Sequence, residues 1–254
     1  MRIKDLLNII QFPEKGRVDK KIFKKAMYDN VVLSRKQKEL IKNETSDIYW
    51  HYVLKPDTIN ISIFKNDDFD YEEIQIIGVS LKTDKRKDAV AEIIQKCIPY
   101  PVILIMEHED RISVSVASKR INKTDTSKSV IDEEFITDWV SNGRANKAKA
   151  FINSLQLENL SFPNLFKFYS DFADRVKLFC ACEHKDNYIY ENKSKTAKAY
   201  KLFRKIKELE EEKTALRRQI KKETDFAKKV VLNVRIKKIE NKILFLITKM
   251  GKIC

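Results

Sequence analysis

A chain of 254 residues with 43% hydrophobic content is long enough to bury one large core or two small ones. With only 4 glycines it has no place for the glycine-rich loops that cradle nucleotide phosphates, so hydrolysis or dinucleotide chemistry of that kind is excluded. Its formal charge of +14 is lopsided: residues 191–254 hold 20 Lys+Arg against 8 Asp+Glu, whereas residues 1–190 hold 31 against 29.

At the N-terminus, MRIKDLLNIIQF is an apolar run broken by Asp5, Asn8 and Gln11 with no small-residue cleavage site behind it, so no signal peptide is expected. After a polar turn at PEKGR, the segment VDKKIFKKAMYDN (18–30) has a helical spacing of apolar residues. A second helix is predicted through SRKQKELIKNE, with Ser34 as its cap and Gln37 three residues on. The period then changes. IYWHYVL (48–54), TINISIF (58–64) and YEEIQIIGVSL (71–81) read as a meander of antiparallel strands. Asp84 is placed to cap a helix through KDAVAEIIQKC, whose Ala89, Val90, Ile93, Ile94 and Cys97 form one stripe. The prolines of IPYP stop that helix and launch VILIME, and HED turns the chain into RISVSVASK. Residues 121–130 are a polar loop by composition, and IDEEFITDWV and the run 145–183 have helical spacing. These elements predict an α+β domain over residues 1–190, with a mainly antiparallel sheet and packed helices.

From 192 onward, apolar or neutral positions fall at 202, 206, 209, 216, 220 and 227, with Lys213 and Glu223 as exceptions. A second register runs through Ile236, Ile239, Ile243, Leu246 and Met250, out of phase with the first. Two antiparallel helices joined near 223–226, with Thr224 or Asp225 capping the second, explain the break. Residues 191–254 are therefore expected to form a basic, coiled-coil-like hairpin reaching roughly 40 Å at 1.5 Å per residue. Near its tip it carries Arg217, Arg218, Lys221, Lys222, Lys228 and Lys229, the candidate contacts to nucleic acid.

Four cysteines, Cys97, Cys180, Cys182 and Cys254, are too few and irregular for a disulfide framework, so reduced thiols are expected. CACEH sets Cys180, Cys182 and His184 at alternate positions, but zinc wants a second close pair of ligands and the chain has none. No eighteen apolar residues run together, which predicts a soluble, cytoplasmic protein with no membrane partner.

The stretches IYWHYVLKPDTINI, EEIQIIGVSLK, IIQKCIPYPVILIM and, inside the charged tail, IKKETDFAKKVVLN together resemble domain-of-unknown-function family 4391. The resemblance implies a prokaryotic protein often encoded beside helicases and DNA methyltransferases of restriction-modification type, hence a setting in defence against foreign DNA. It carries over no catalytic residue.

Glu73 and Gln75 raise the alternative of a metal-dependent nuclease of the Asp…Glu-x-Lys type, in which carboxylates hold Mg2+ or Mn2+ and activate water beside a lysine. The candidates are Asp57, after Pro56, and Glu73, with Gln75 in the lysine position. A hairpin turning inside KNDDFD would set Asp57 opposite residue 78, roughly 16 Å along the strand from Glu73 and out of reach of one metal. A bulge or a shifted turn would restore the pair. The plainer reading places Glu73 and Gln75 at the solvated start of a strand that continues inward through Ile77, Val79 and Leu81. His51 and His108 each lack a placed nucleophile and read as core or edge residues. Three functions follow as expectations: a non-enzymatic accessory subunit contacting DNA and helicase or methyltransferase partners; the nuclease; and an adaptor whose helical tail binds protein or a second copy.

Overall fold

The computed structural model describes residues 1–29, 31–123, 129–141, 145–183 and 187–250. The chain divides into two compact units, Met1–Val176 and Lys177–Cys254. In the first, the opening apolar run forms α1 (Ile3–Ile10), which buries Ile3, Leu6, Leu7 and Ile10. Then come β1 (Arg17–Lys21), α2 (Lys24–Asp29), α3 (Arg35–Glu44), β2 (Thr45–Leu54) and the one-turn α4 (Pro56–Ile59). The two-residue strands β3 (Phe64–Lys65) and β4 (Asp70–Tyr71) pair with each other, and β5 (Ile74–Leu81), α5 (Lys87–Cys97), β6 (Val102–His108), β7 (Arg111–Ile121), β8 (Ser129–Ile136) and α6 (Ala145–Ser154) follow. Helix α7 (Leu165–Ala181) spans the division between the units.

The sheet order is β1-β2-β5-β6-β7-β8. Every neighbouring pair is antiparallel except β5 and β6, which run parallel because α5 carries the chain back across the sheet. Strands β5 and β6 lie at the centre, which is why IQIIGV and VILIM are almost unbroken apolar runs. Val90, Ile93, Ile94 and Cys97 of α5 meet Ile77, Val79, Leu104 and Met106 of the sheet, and Met27, Leu33, Ile41 and Ile48 extend this core. A second set of apolar side chains comes from α6 and α7, where Phe151, Phe168, Tyr169 and Phe172 are fully buried. The Tyr169 hydroxyl accepts from the Ala117 N–H at 3.0 Å and donates to the Val102 carbonyl at 2.9 Å, closing the end of the β6–β7 ladder.

The α+β class and mainly antiparallel sheet agree with the sequence reading, and so does the Ser34–Gln37 capping box of α3. Several local expectations are corrected. VDKKIFKK opens with edge strand β1, not a helix, and the IDEEFI segment is edge strand β8, not a helix. TINISIF is no strand of the main sheet, and only Phe64 joins the short β3: Pro56 begins a helical turn in which Thr58 Oγ1 accepts from the Lys55 N–H at 2.9 Å, and Asn60 ends it at φ 56°. The meander is thus absent, and β2 pairs directly with β5. Asp84 caps nothing. The N-cap of α5 is Arg86, and Asp84 faces Arg111 at 3.4 Å. Cys97 and Cys180 are not in disulfides, but Cys182 is disulfide-bonded, against the expectation of reduced thiols throughout. His184 and residues 124–128 of the expected loop lie outside the described residues.

The second unit holds the end of α7 and a helical pair, α8 (Lys193–Lys222) and α9 (Phe226–Met250), packed together. Within it the Lys177 ammonium sits 3.9 Å above the Tyr200 ring, and Lys207 meets Glu183 at 3.0 Å. Among the described residues no helix is long and apolar enough to cross a membrane.

Candidate nucleic-acid interface and carboxylate cluster

The helical pair is built from the two out-of-phase registers. Asn192 opens α8, its side-chain oxygen accepting from the Lys195 N–H at 3.0 Å. Ile206, Leu209 and Leu216 of α8 and Ile236, Ile239, Ile243 and Met250 of α9 are buried, while Leu202, Ile220 and Leu246 are half-buried and Ala227 is exposed. Only Glu223, Thr224 and Asp225 separate the helices. Glu223 Oε1 accepts from the N–H groups of Thr224 at 2.9 Å and Asp225 at 3.0 Å, and Asp225 Oδ1 accepts from the Lys228 N–H at 3.3 Å, capping α9.

Two ion pairs strap the helices across the seam: Arg217 to Glu240 at 3.0 Å and Arg235 to Glu212 at 2.6 Å. Arg217, one of the six candidate contacts, is therefore engaged within the hairpin. Arg218, Lys221, Lys222 and Lys228 are exposed and Lys229 is half-buried, and none of the five has an ion-pair partner among the described residues. The nearby acids do not neutralise them directly. The Asp225 and Thr224 N–H groups hold the Glu223 carboxyl below its usual range, with Lys228 and Lys229 adding to the effect. Lys221 and Lys222 occupy the last turn of α8, where cations complement the helix dipole. Among the described residues, the tip thus combines occupied carboxylates with cations that have no ion-pair partner.

The direct pairing of β2 with β5 changes the geometry of the other candidate. Leu54 lies opposite Ile74 and Val53 opposite Gln75, so Asp57, in the turn leaving β2, and Glu73, entering β5, belong to the same end of the sheet. The 57-to-78 pairing behind the expected separation is overturned. Asp57 is 76% exposed and meets Lys55 at 3.3 Å. Glu73 accepts a hydrogen bond from the Gln75 amide. Burial raises the Glu73 pKa, against that hydrogen bond and the nearby Lys55 charge. Gln75 is buried, not at a solvated strand start, and its N–H donates to the Pro101 carbonyl at 2.9 Å. Lys55, which no sequence motif marked, places a positive charge near both Asp57 and Glu73. Among the described residues, no three His, Cys, Asp or Glu side chains converge as metal ligands.

The histidines are tied into the framework. His51 Nδ1 lies 2.9 Å from Asp19, and a Cβ at Gly78 would overlap its ring. His108 Nδ1 faces the Leu81 carbonyl at 3.2 Å. A buried amine of the first unit lies at the end of α5. Lys119, only 3% exposed, donates to the carbonyls of Ile98 and Tyr100, both at 2.7 Å, beyond the C-terminus of the helix. Burial pulls its pKa down to about 7. Glu134, pushed up to about 7 by burial, accepts from Ser115 Oγ at 3.0 Å, and Ser115 Oγ in turn accepts from the Gln95 amide at 3.1 Å. The available sequence signal was the period of two in RISVSVASK, which puts Ser113, Ser115, Ala117 and Lys119 at alternate positions.

No curated protein and no solved structure matches the chain. Residues 10–243, nearly its whole length, match the family described as a domain of unknown function (DUF4391), and the chain belongs to that family.

Proposed function

We propose that this protein is a cytoplasmic, non-enzymatic accessory subunit of a prokaryotic DNA-defence system, contacting nucleic acid through the tip of its basic hairpin and working beside helicase or methyltransferase partners. One observation supports the reading above others: among the described residues, Arg218, Lys221, Lys222, Lys228 and Lys229 at the tip have no ion-pair partners, while Glu223 and Asp225 accept backbone hydrogen bonds. Such cations bind phosphates chiefly by displacing condensed counterions, which gives little sequence preference and a steep dependence on salt. Titrating fluorescent oligonucleotides with the full chain at several salt concentrations tests it. The reading expects log K to fall linearly with log salt by about 0.7–0.9 per phosphate contacted. Salt-independent binding, or none at low salt, rejects it.

A second reading has its own support, the placement of Asp57 and Glu73 at one end of the sheet with Lys55 beside them. Mg2+ is commonly held by one or two carboxylates plus water, so this end fits a metal-dependent nuclease. Cleavage of DNA that requires Mg2+ or Mn2+ and falls by at least about a hundredfold in Glu73→Ala would establish it. Cleavage unchanged in that variant would point to a contaminant.

A further inference from the structure

The hairpin tip carries one feature that phosphate binding leaves unused. Phe226, the first residue of α9, is 80% exposed. The same tip has a groove lined by Gln219, Lys222, Ala227, Lys228, Val231 and Leu232. Glu223 also lines the groove, with one carboxylate oxygen committed to the Thr224 and Asp225 N–H groups. An accessible aromatic face with cations on the same tip is what an unpaired base needs: a surface to stack on and charge for the adjoining phosphates.

We propose that the tip binds single-stranded nucleic acid in preference to duplex, with an unpaired base stacked on Phe226 and flanking phosphates held by Lys222 and Lys228. The inference rests on the reading of the tip as a nucleic-acid contact and adds the form of nucleic acid it selects. Charge complementarity favours this occupant over an apolar peptide, because Lys222 and Lys228 line the groove and their neighbours Lys221 and Lys229 lack ion-pair partners among the described residues. In a stacked duplex no base face is available to the ring, so the aromatic contribution vanishes there while the lysine contribution remains.

The test compares a fluorescent 20-nucleotide mixed-sequence single strand with the matching duplex, using full-length wild type, Phe226→Ala, Phe226→Trp and the double variant Lys222→Gln/Lys228→Gln. The proposal expects tighter binding to the single strand, a loss of about fivefold or more in Phe226→Ala for that strand alone, and recovery in Phe226→Trp. It expects the salt slope to survive Phe226→Ala and to flatten in the lysine variant. If Phe226→Ala leaves single-strand binding intact, or weakens both forms equally, base stacking is refuted while phosphate contact stands. If no variant or wild type binds either form, the underlying reading fails with it. Displacement of the strand by a polyglutamate peptide that itself loses affinity in Phe226→Ala would make the tip a dock for acidic protein and overturn the proposal.

Discussion

Lys119 and Glu134 show how far a single residue departs from its surface behaviour once buried. Both are pulled toward neutrality, to pKa values of about 7, and their effects on stability have opposite signs. Between the ordinary Glu value of 4.5 and about 7, the folded chain keeps the Glu134 proton that the unfolded chain has lost, so stability declines as pH rises. Between about 7 and the ordinary Lys value of 10.5, the unfolded chain keeps the Lys119 proton that the folded chain lacks, so stability climbs. Urea midpoints from pH 4.5 to 10.5 should show the decline disappearing in Glu134→Gln and the climb disappearing in Lys119→Met. The second variant also strips the Ile98 and Tyr100 carbonyls of their donor, at about 1–3 kcal/mol. A pH profile unchanged in both variants would contradict this account. Neither residue carried a motif, because burial is a property of the neighbours and not of the side chain. Glu73 and Gln75 did stand out, yet strand pairing rather than spacing decided what lay beside them.

At the scale of elements, legibility followed burial. The central strands β5 and β6 and helix α5 were readable because their buried positions are apolar apart from Gln75 and Gln95. Both edge strands were misread as helices for one reason. An edge strand is protected from pairing with other chains by charge, and RVDKK in β1 and IDEEF in β8 carry so much that the period of two disappears. The strand expected at TINISIF failed because Pro56 at the first position of a turn and Asn60 in the left-handed region favour α4 locally. The hairpin was legible from its phase break, since each register lines one helix of the pair, except that Ala227 of the first falls on α9 and is exposed. That assignment makes a quantitative claim: Ile239→Ala should destabilise the second unit by about 2 kcal/mol through lost packing, whereas Val234→Ala, on an exposed position of α9, should change it by less than about 0.5 kcal/mol. Denaturant titration of helical circular dichroism measures both. Equal effects would mean that α9 is not seated on α8 as described.

On the scale of the whole molecule, the chain joins a nearly charge-balanced α+β unit to a strongly basic helical one. Membership of a family described as a domain of unknown function places this arrangement without assigning it a task. Excess positive charge alone attracts any polyanion, so the decisive question is whether location matters more than quantity. Two variants of equal net charge separate the two. One replaces Arg218, Lys221, Lys222, Lys228 and Lys229 at the hairpin tip by glutamine. The other replaces Lys15, Lys20, Lys25, Lys36 and Lys85, exposed cations of the first unit, in the same way. The measurement is the slope of log K against log salt for oligonucleotide binding by full-length protein. The account predicts a slope flattened by the tip substitutions and nearly preserved by the others. Equal slopes in the two variants would contradict it.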